Sequence, residues 1–303
     1  MFRLFPPLVS MLLLLLVVAA SSGIANATPW CGSERPLAQL HPRVDASEHF
    51  TPRHHAHARA RGQGEKPTTV VPIAWHVVYN KKAGNVSSAT IQKQVRKLDD
   101  VYSKTLGIKF EIANITRTRS DWAQTALTLS YLKDSASRQM REALHTGGPG
   151  TINVYSLDFP DARGIELKGY SSFPEDISRS PKLDGISFDY KTMPGQIRNG
   201  TTSIGMTLVH EMGHAFGLQH TFVGGCDGEG DGVEDTPAQQ FPTGYTSGCP
   251  VGQVDSCPNL PGKDDVSNIM NYVPQHCYRP YGFTKGQIAR MKTLSSEYRG
   301  FTF

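Results

Sequence analysis

The chain has 303 residues, with 31 Lys/Arg against 27 Asp/Glu and a formal charge of +4. Residues 1–67 hold seven of those basic and four of those acidic side chains, so residues 68–303, with 24 and 23, are close to neutral. That balance excludes the basic footprint of a nucleic-acid partner or an acidic membrane.

The beginning of the chain reads as an export signal. Arg3 precedes the apolar run Met11–Ala20, and small residues follow up to an Ala-x-Ala pattern ending at Ala27. Basic start, short apolar stretch and small-residue cleavage site define a secretory signal peptide over residues 1–27. The run is shorter than the roughly 20 apolar residues that span a bilayer. The expected product is a secreted, extracellular monomer. The sequons at Asn85, Asn114 and Asn199 are candidate glycosylation sites in such a protein.

Residues 28–67 are polar and basic, with His41, His49, His54, His55 and His57 among Arg53, Arg59 and Arg61. A metal-sequestering tract is one reading. A solvated linker open to proteolysis is the plainer one, because little in it can be buried. These residues are expected to form a pro-segment.

Globular patterning starts at residue 68. The β-branched stretch TTVVPIAWHVVYN predicts a strand with Pro72 near its start. Ile91, Val95, Leu98 and Val101 recur at helical spacing. GIKFEIANIT alternates as a strand, SRQMREALH reads as a short helix, and GTINVYSLDF and DGISFDY read as further strands. TTSIGMTLVHEMGHAFG predicts a long helix ending at Gly217. Residues 221–283 are rich in Gly, Pro and Asp, contain four of the five cysteines, and predict an irregular segment held by disulfides. Thr284 and Gln287 fit a capping box before a last helix with Ile288, Met291 and Leu294 buried.

The chemistry lies in HEMGHAFGLQH, His210 to His220. His210 and His214, four apart, project from one helix face. Glu211 sits beside the first of them and can reach a water without binding the metal. Gly217 lets the chain leave the helix, so that His220 returns as a third ligand. Three protein ligands leave one position open, as a catalytic rather than a structural Zn2+ site does. The reaction implied is peptide-bond hydrolysis with Glu211 as general base. Fifty residues beyond His220, SNIMNY resembles the Met-turn of the metzincins, with Met270 as an apolar floor beneath the histidines.

HEMGHAFGLQHTFVGGC, GDGVEDTPA, GCPVGQVDSC, SNIMNY and Cys277 together resemble the pappalysin family of metzincin metalloproteases, in particular its small secreted microbial members. The resemblance implies an α/β (α+β) fold over residues 68–303: a twisted mixed sheet with two helices above the cleft (68–220) and an irregular disulfide-bonded subdomain below it (221–303). It also implies that Tyr272 stands near the zinc to stabilise the oxyanion or bind the resting metal. Spacing alone leaves three pairings of the four clustered cysteines open; the resemblance favours Cys226–Cys257 and Cys249–Cys277. The acids Asp227, Glu229, Asp231, Glu234 and Asp235 suggest Ca2+, and the family positions fall on Asp231 and Thr236. An acid just before the last cysteine would imply a taste for basic substrate residues; here His276 stands there, and no such preference carries over.

Cys31 is left as the odd thiol. A thiolate is a good zinc ligand, and Cys31-Gly32 resembles the cysteine switch of latent metzincins, although Trp30 stands where Arg is common. The expected function is a secreted zinc endopeptidase made as a zymogen and acting on protein or peptide substrates. The other reading, a secreted metal-binding or adhesive protein on an inactive protease fold, fits less well because every catalytic position is filled.

Overall fold

The computed structural model describes residues 69–124, 135–159, 167–242, 248–280 and 282–303. The signal peptide of 1–27, the pro-segment of 28–67 and Cys31 lie outside the described residues. Five strands form one sheet in the order β2-β1-β3-β5-β4. They are β1 (Thr69–Tyr79), β2 (Ile108–Arg119), β3 (Ile152–Leu157), β4 (Gly169–Ser171) and β5 (Ile186–Asp189). β1, β2, β3 and β5 pair in parallel, and β4 closes one edge antiparallel to β5. The sheet is therefore mixed.

β1 and β3 are buried on both faces because both faces are covered. Val71, Ile73, Trp75 and Val77 of β1 enter the main core with Ile152 and Val154 of β3. Val78, Tyr155 and Leu157 point to the opposite face, where α2 (Ser135–Leu144) adds Met140. On the main face lies α1 (Ser88–Thr105), whose Ile91, Val95, Leu98, Val101 and Tyr102 are buried. It starts where the Thr90 N–H donates to the Ser87 hydroxyl at 3.2 Å, an N-cap. Tyr102 donates its hydroxyl to the Val209 carbonyl at 2.8 Å, which ties α1 to α3 (Met206–Ala215).

α3 is shorter than the sequence pattern predicts. Its expected first residues, Thr201 and Thr202, instead form β7, which pairs with β6 (Ile197–Arg198) across Asn199 and Gly200. Both turn residues have positive φ, 47° and 74°, as a two-residue Asn-Gly hairpin requires. Gly205, at φ 83°, then separates hairpin from helix. At the other end Gly217 has φ 99°; its N–H reaches the His214 carbonyl and Leu218 N–H reaches that of Gly213. Those two bonds make a Schellman stop.

β4 escaped the sequence reading because three residues buried on all sides give no alternation. Among the described residues, the segment from 216 to 284 has no α-helix or strand, only a short 3-10 turn at Gln275–Cys277. Disulfides join Cys226 to Cys257 and Cys249 to Cys277. α4 (Lys285–Arg299) follows, capped reciprocally by Thr284 and Gln287. It contributes Met291 to the main core, so the end of the chain and the sheet share one apolar interior. Two of its arginines close the exit of α3: Arg290 Nε donates to the Gly217 carbonyl and Arg299 Nε to that of Ala215, both at 2.9 Å. A cation is favourable at that helix end. No helix among the described residues is long and apolar enough to cross a membrane.

Candidate active site and metal centre

One turn of α3 separates His210 from His214, and the Schellman stop turns the chain back so that His220 meets them. Their three Nε2 atoms lie 3.1–3.2 Å apart in a closed triangle. The tautomers of two follow from their partners. Nδ1 of His210 lies 2.7 Å from the Ile269 carbonyl, and Nδ1 of His214 lies 2.7 Å from that of Leu218. A carbonyl only accepts, so both Nδ1 atoms carry hydrogen and both Nε2 atoms present lone pairs. Burial pushes all three imidazoles below their ordinary 6.5, His210 to about 4. They are therefore neutral at pH 7. Buried lone pairs aimed at one another repel, unless they share a cation. A tetrahedral ion with Zn–N distances of about 2.0–2.1 Å fits that donor set and triangle. The three histidines are thus able to hold a metal ion.

Ser267–Tyr272 supports this triangle from below. The Met270 side chain is fully buried beneath α3, and the Met270 carbonyl accepts the Thr221 N–H at 3.2 Å. Asn268 shapes the turn: its Oδ1 accepts from Met270 N–H, and its amide bonds reciprocally with Gln287 of the α4 capping box. Tyr272 is buried, its ring centroid 4.7 Å from His220 and 5.9 Å from His210. His220 stacks on Phe222 at 4.8 Å.

Glu211 is 1% exposed and lies against the edge strand: a Cβ on Gly169 would stand 2.8 Å from its Oε1. A cleft of about 560 Å3 opens in front of His210 and Glu211, bounded by Lys168, Arg198, Met206, Tyr272 and the 273–278 segment. Gln275 knits that segment to the β6–β7 hairpin. Its Oε1 accepts the Ile204 N–H at 2.9 Å and its Nε2 donates to the Thr202 carbonyl at 3.2 Å.

The acidic segment is not gathered into one cluster. Asp235 accepts the Gly286 N–H at 2.9 Å and caps α4. Among the described residues, these acids do not bring three ligand atoms within 4.8 Å of one another. Asp231 Oδ1 accepts from the Thr236 hydroxyl at 2.7 Å and the Val233 N–H, while its Oδ2 is buried without a partner. Burial pushes this carboxyl up to about 7. Asn85, Asn114 and Asn199 are all exposed, and Asn199 stands at the rim of the cleft.

Sequence reading missed Gly213, Gly169, Arg198 and Gln275. Asn199-Gly200 was a usable hairpin signal for Arg198. The others contribute by contacts between distant segments and leave no local pattern.

The sequence profile of the family described as Peptidase_M43, pregnancy-associated plasma protein-A, matches residues 150–295. An extracellular metalloprotease of Pyricularia oryzae is 36% identical over 96% of this chain and 97% of its own length. One from Sordaria macrospora is 35% identical over 96% and 97%. Among solved structures, Tannerella forsythia mature mirolysin in complex with a cleaved peptide is similar at a TM-score of 0.60 and 27% identity, over 76% of this chain and 92% of that one. A structure of promirolysin matches at 0.59 and 27%, over 77% and 82%. Similarity that runs nearly end to end means that the chain belongs to the pappalysin family, Peptidase_M43, of metzincin metalloproteases.

Proposed function

We propose that this metalloprotease is a secreted, zinc-dependent endopeptidase made as a latent zymogen and acting as a monomer on extracellular proteins. The observation that carries this reading is the triangle of neutral imidazoles beside a buried carboxylate at the mouth of one cleft. Zinc, when bound by His210, His214 and His220, supplies Lewis acidity that makes water nucleophilic near neutral pH. Glu211 accepts the proton of the attacking water and passes it to the leaving amine. Tyr272 directs its hydroxyl at the developing oxyanion, where one donor is worth about 3–4 kcal/mol in comparable sites. β4, the last strand of the sheet, lies next to Glu211 and offers the extended substrate a strand to pair with. The relatives from Pyricularia oryzae and Sordaria macrospora, named extracellular metalloproteases, support the secreted setting.

Cys31 holds the proenzyme silent by occupying the open zinc position until cleavage among Arg53–Arg61. A promirolysin structure among the similar proteins is in keeping with a pro-form. Ca2+ binds at Asp231 and Thr236: the orphaned, buried Oδ2 of Asp231 is a group that a hard cation would satisfy.

The deciding experiment is Glu211→Gln. It should lower peptide hydrolysis by about 10²–10⁴-fold while one zinc per chain is retained. Undiminished turnover by a zinc-loaded Glu211→Gln protein would refute the assignment. Chelation should abolish activity in the native enzyme, and added Zn2+ should restore it.

A further inference from the structure

We infer that Gln287, in the first turn of α4, is a positioning residue for the imidazole triangle: through Asn268 it fixes the turn whose carbonyl orients His210. The inference rests on the metalloprotease reading and extends it to a residue outside the histidine motif. Both amide side chains are fully buried. Asn268 Nδ2 donates to Gln287 Oε1 at 2.9 Å, and Gln287 Nε2 donates to Asn268 Oδ1 at 3.2 Å. Neither amide can be turned over. Asn268 Oδ1 also accepts the Met270 N–H at 2.9 Å, and Gln287 Oε1 also accepts the Thr284 N–H at 3.0 Å. A backbone N–H only donates, so each requires the amide oxygen on its side. The second hydrogen of Asn268 Nδ2 goes to Asp265 Oδ2 at 2.9 Å, and Arg279 holds Asp265 by two bonds of 2.7 Å. Asn268 thus fills every hydrogen-bonding position of its side chain, and a rotation would strand buried polar atoms.

What the amide pair holds is a tight turn. The Asn271 N–H donates to the Asn268 carbonyl at 3.1 Å, with Ile269 and Met270 between them. The Ile269 carbonyl accepts from His210 Nδ1 at 2.7 Å, and the Met270 side chain lies buried against Gly213 of α3. One turn therefore sets the tautomer and direction of a ligand imidazole together with the floor beneath it. Groups that orient metal ligands from outside are worth about 10–100-fold in metal affinity. Gln287 acts one bond further out, so its share belongs at the lower end of that range. It also serves α4 itself, because its backbone N–H donates to the Thr284 hydroxyl at 3.1 Å. Capping and positioning are separable: the hydroxyl of Thr284 takes no part in the amide pair.

The test measures Zn2+ affinity of the metal-free, processed full chain by competition with a chromophoric chelator, and the visible absorption of the Co2+-substituted protein. Gln287→Met keeps the length of the side chain and removes both bonds to Asn268. Gln287→Glu keeps the acceptor for the Thr284 N–H but sets an oxygen against Asn268 Oδ1. Met is a good helix former and Glu the usual capping-box partner, so both variants should fold. Each should weaken Zn2+ binding about tenfold and shift the Co2+ bands, with kcat reduced and KM unchanged. Thr284→Ala removes the capping hydroxyl and spares the amide pair, so it should lower the melting temperature and leave metal affinity and spectrum as in the wild type. Wild-type affinity and spectrum in the Gln287 variants overturn the inference, as does an equal loss in Thr284→Ala, and both results leave the protease reading standing. A wild-type protein that binds neither Zn2+ nor Co2+ overturns both.

Discussion

The sulfur of Met270 occupies the space that a side chain on Gly213 would need. A Cβ built on Gly213 would stand 2.5 Å from Met270 Sδ and 3.3 Å from its Cε. Gly213 lies between His210 and His214 of the imidazole triangle, so the Ser267–Tyr272 segment touches α3 at its one bare position. Gly213→Ala would ordinarily gain about 1 kcal/mol in a helix. Here overpacking, costing about 1–3 kcal/mol, outweighs that gain because Met270 is fully buried and has no open space to move into. The expected result is a lower melting temperature and weaker zinc retention; a more stable Ala variant would show that the contact does not constrain the site.

Gly169 meets Glu211 in the same way, with a different consequence. The added methyl would lie within 3.0 Å of Oε1, Cγ and Cδ of Glu211. Glu211, though buried, borders the cleft and so has space to swing into, so Gly169→Ala should lower the melting temperature less than Gly213→Ala does. With Glu211 as the proposed base, a displacement of about an ångström should cost about 10²-fold in rate. Steady-state kinetics beside calorimetry separate the two effects, and retention of full kcat would contradict this placement.

Arg299 and Asp184 form a buried, two-point pair at 2.9 and 3.0 Å, and Ser172 adds a hydroxyl at 2.7 Å. Burial alone would push the Asp184 carboxyl up; the Arg299 guanidinium and the hydrogen bonds overcome it and hold it below 3.8. A carboxyl lowered by folding stabilises the protein above its unfolded value and loses that contribution as pH falls through the folded one. Stability should therefore hold above about pH 4 and decline below it. Asp184→Asn should cost about 3–5 kcal/mol at pH 7, since it strands the buried guanidinium, and should flatten the acid limb. Urea unfolding at stepped pH measures both.

Gln275 acts as a brace between two segments more than seventy residues apart in sequence. Gln275→Ala should loosen the outer wall of the cleft and leave the imidazole triangle intact. Losing three hydrogen bonds, the third accepted from the Ser203 hydroxyl, at about 1 kcal/mol each predicts a KM raised by roughly tenfold or more, with metal content unchanged. A fall in kcat alone would mean that the brace acts on the chemistry and not on binding.

Much of this was readable from sequence because its signals are local. His210 and His214 are four apart on one helix face, Thr284 and Gln287 cap a helix within one turn, and β1 declares itself by β-branched residues. The boundaries of α3 were less readable, since Asn199-Gly200 and Gly205 end a helix-like pattern by backbone conformation.

By itself, then, the sequence determined the three spaced histidines, the glutamate beside the first of them and the irregular segment, because each depends on residue type at short separation. Tertiary structure alone decided what those groups face. The imidazole tautomers are set by carbonyls of Ile269 and Leu218, one of them from a segment 59 residues away. The bareness of Gly213 and Gly169 has meaning only once Met270 and Glu211 stand against them. Arg198 became part of the cleft because a hairpin and a buried Asp189 hold it there. Such contacts are made through space by packing and desolvation, and no pattern along the chain encodes them.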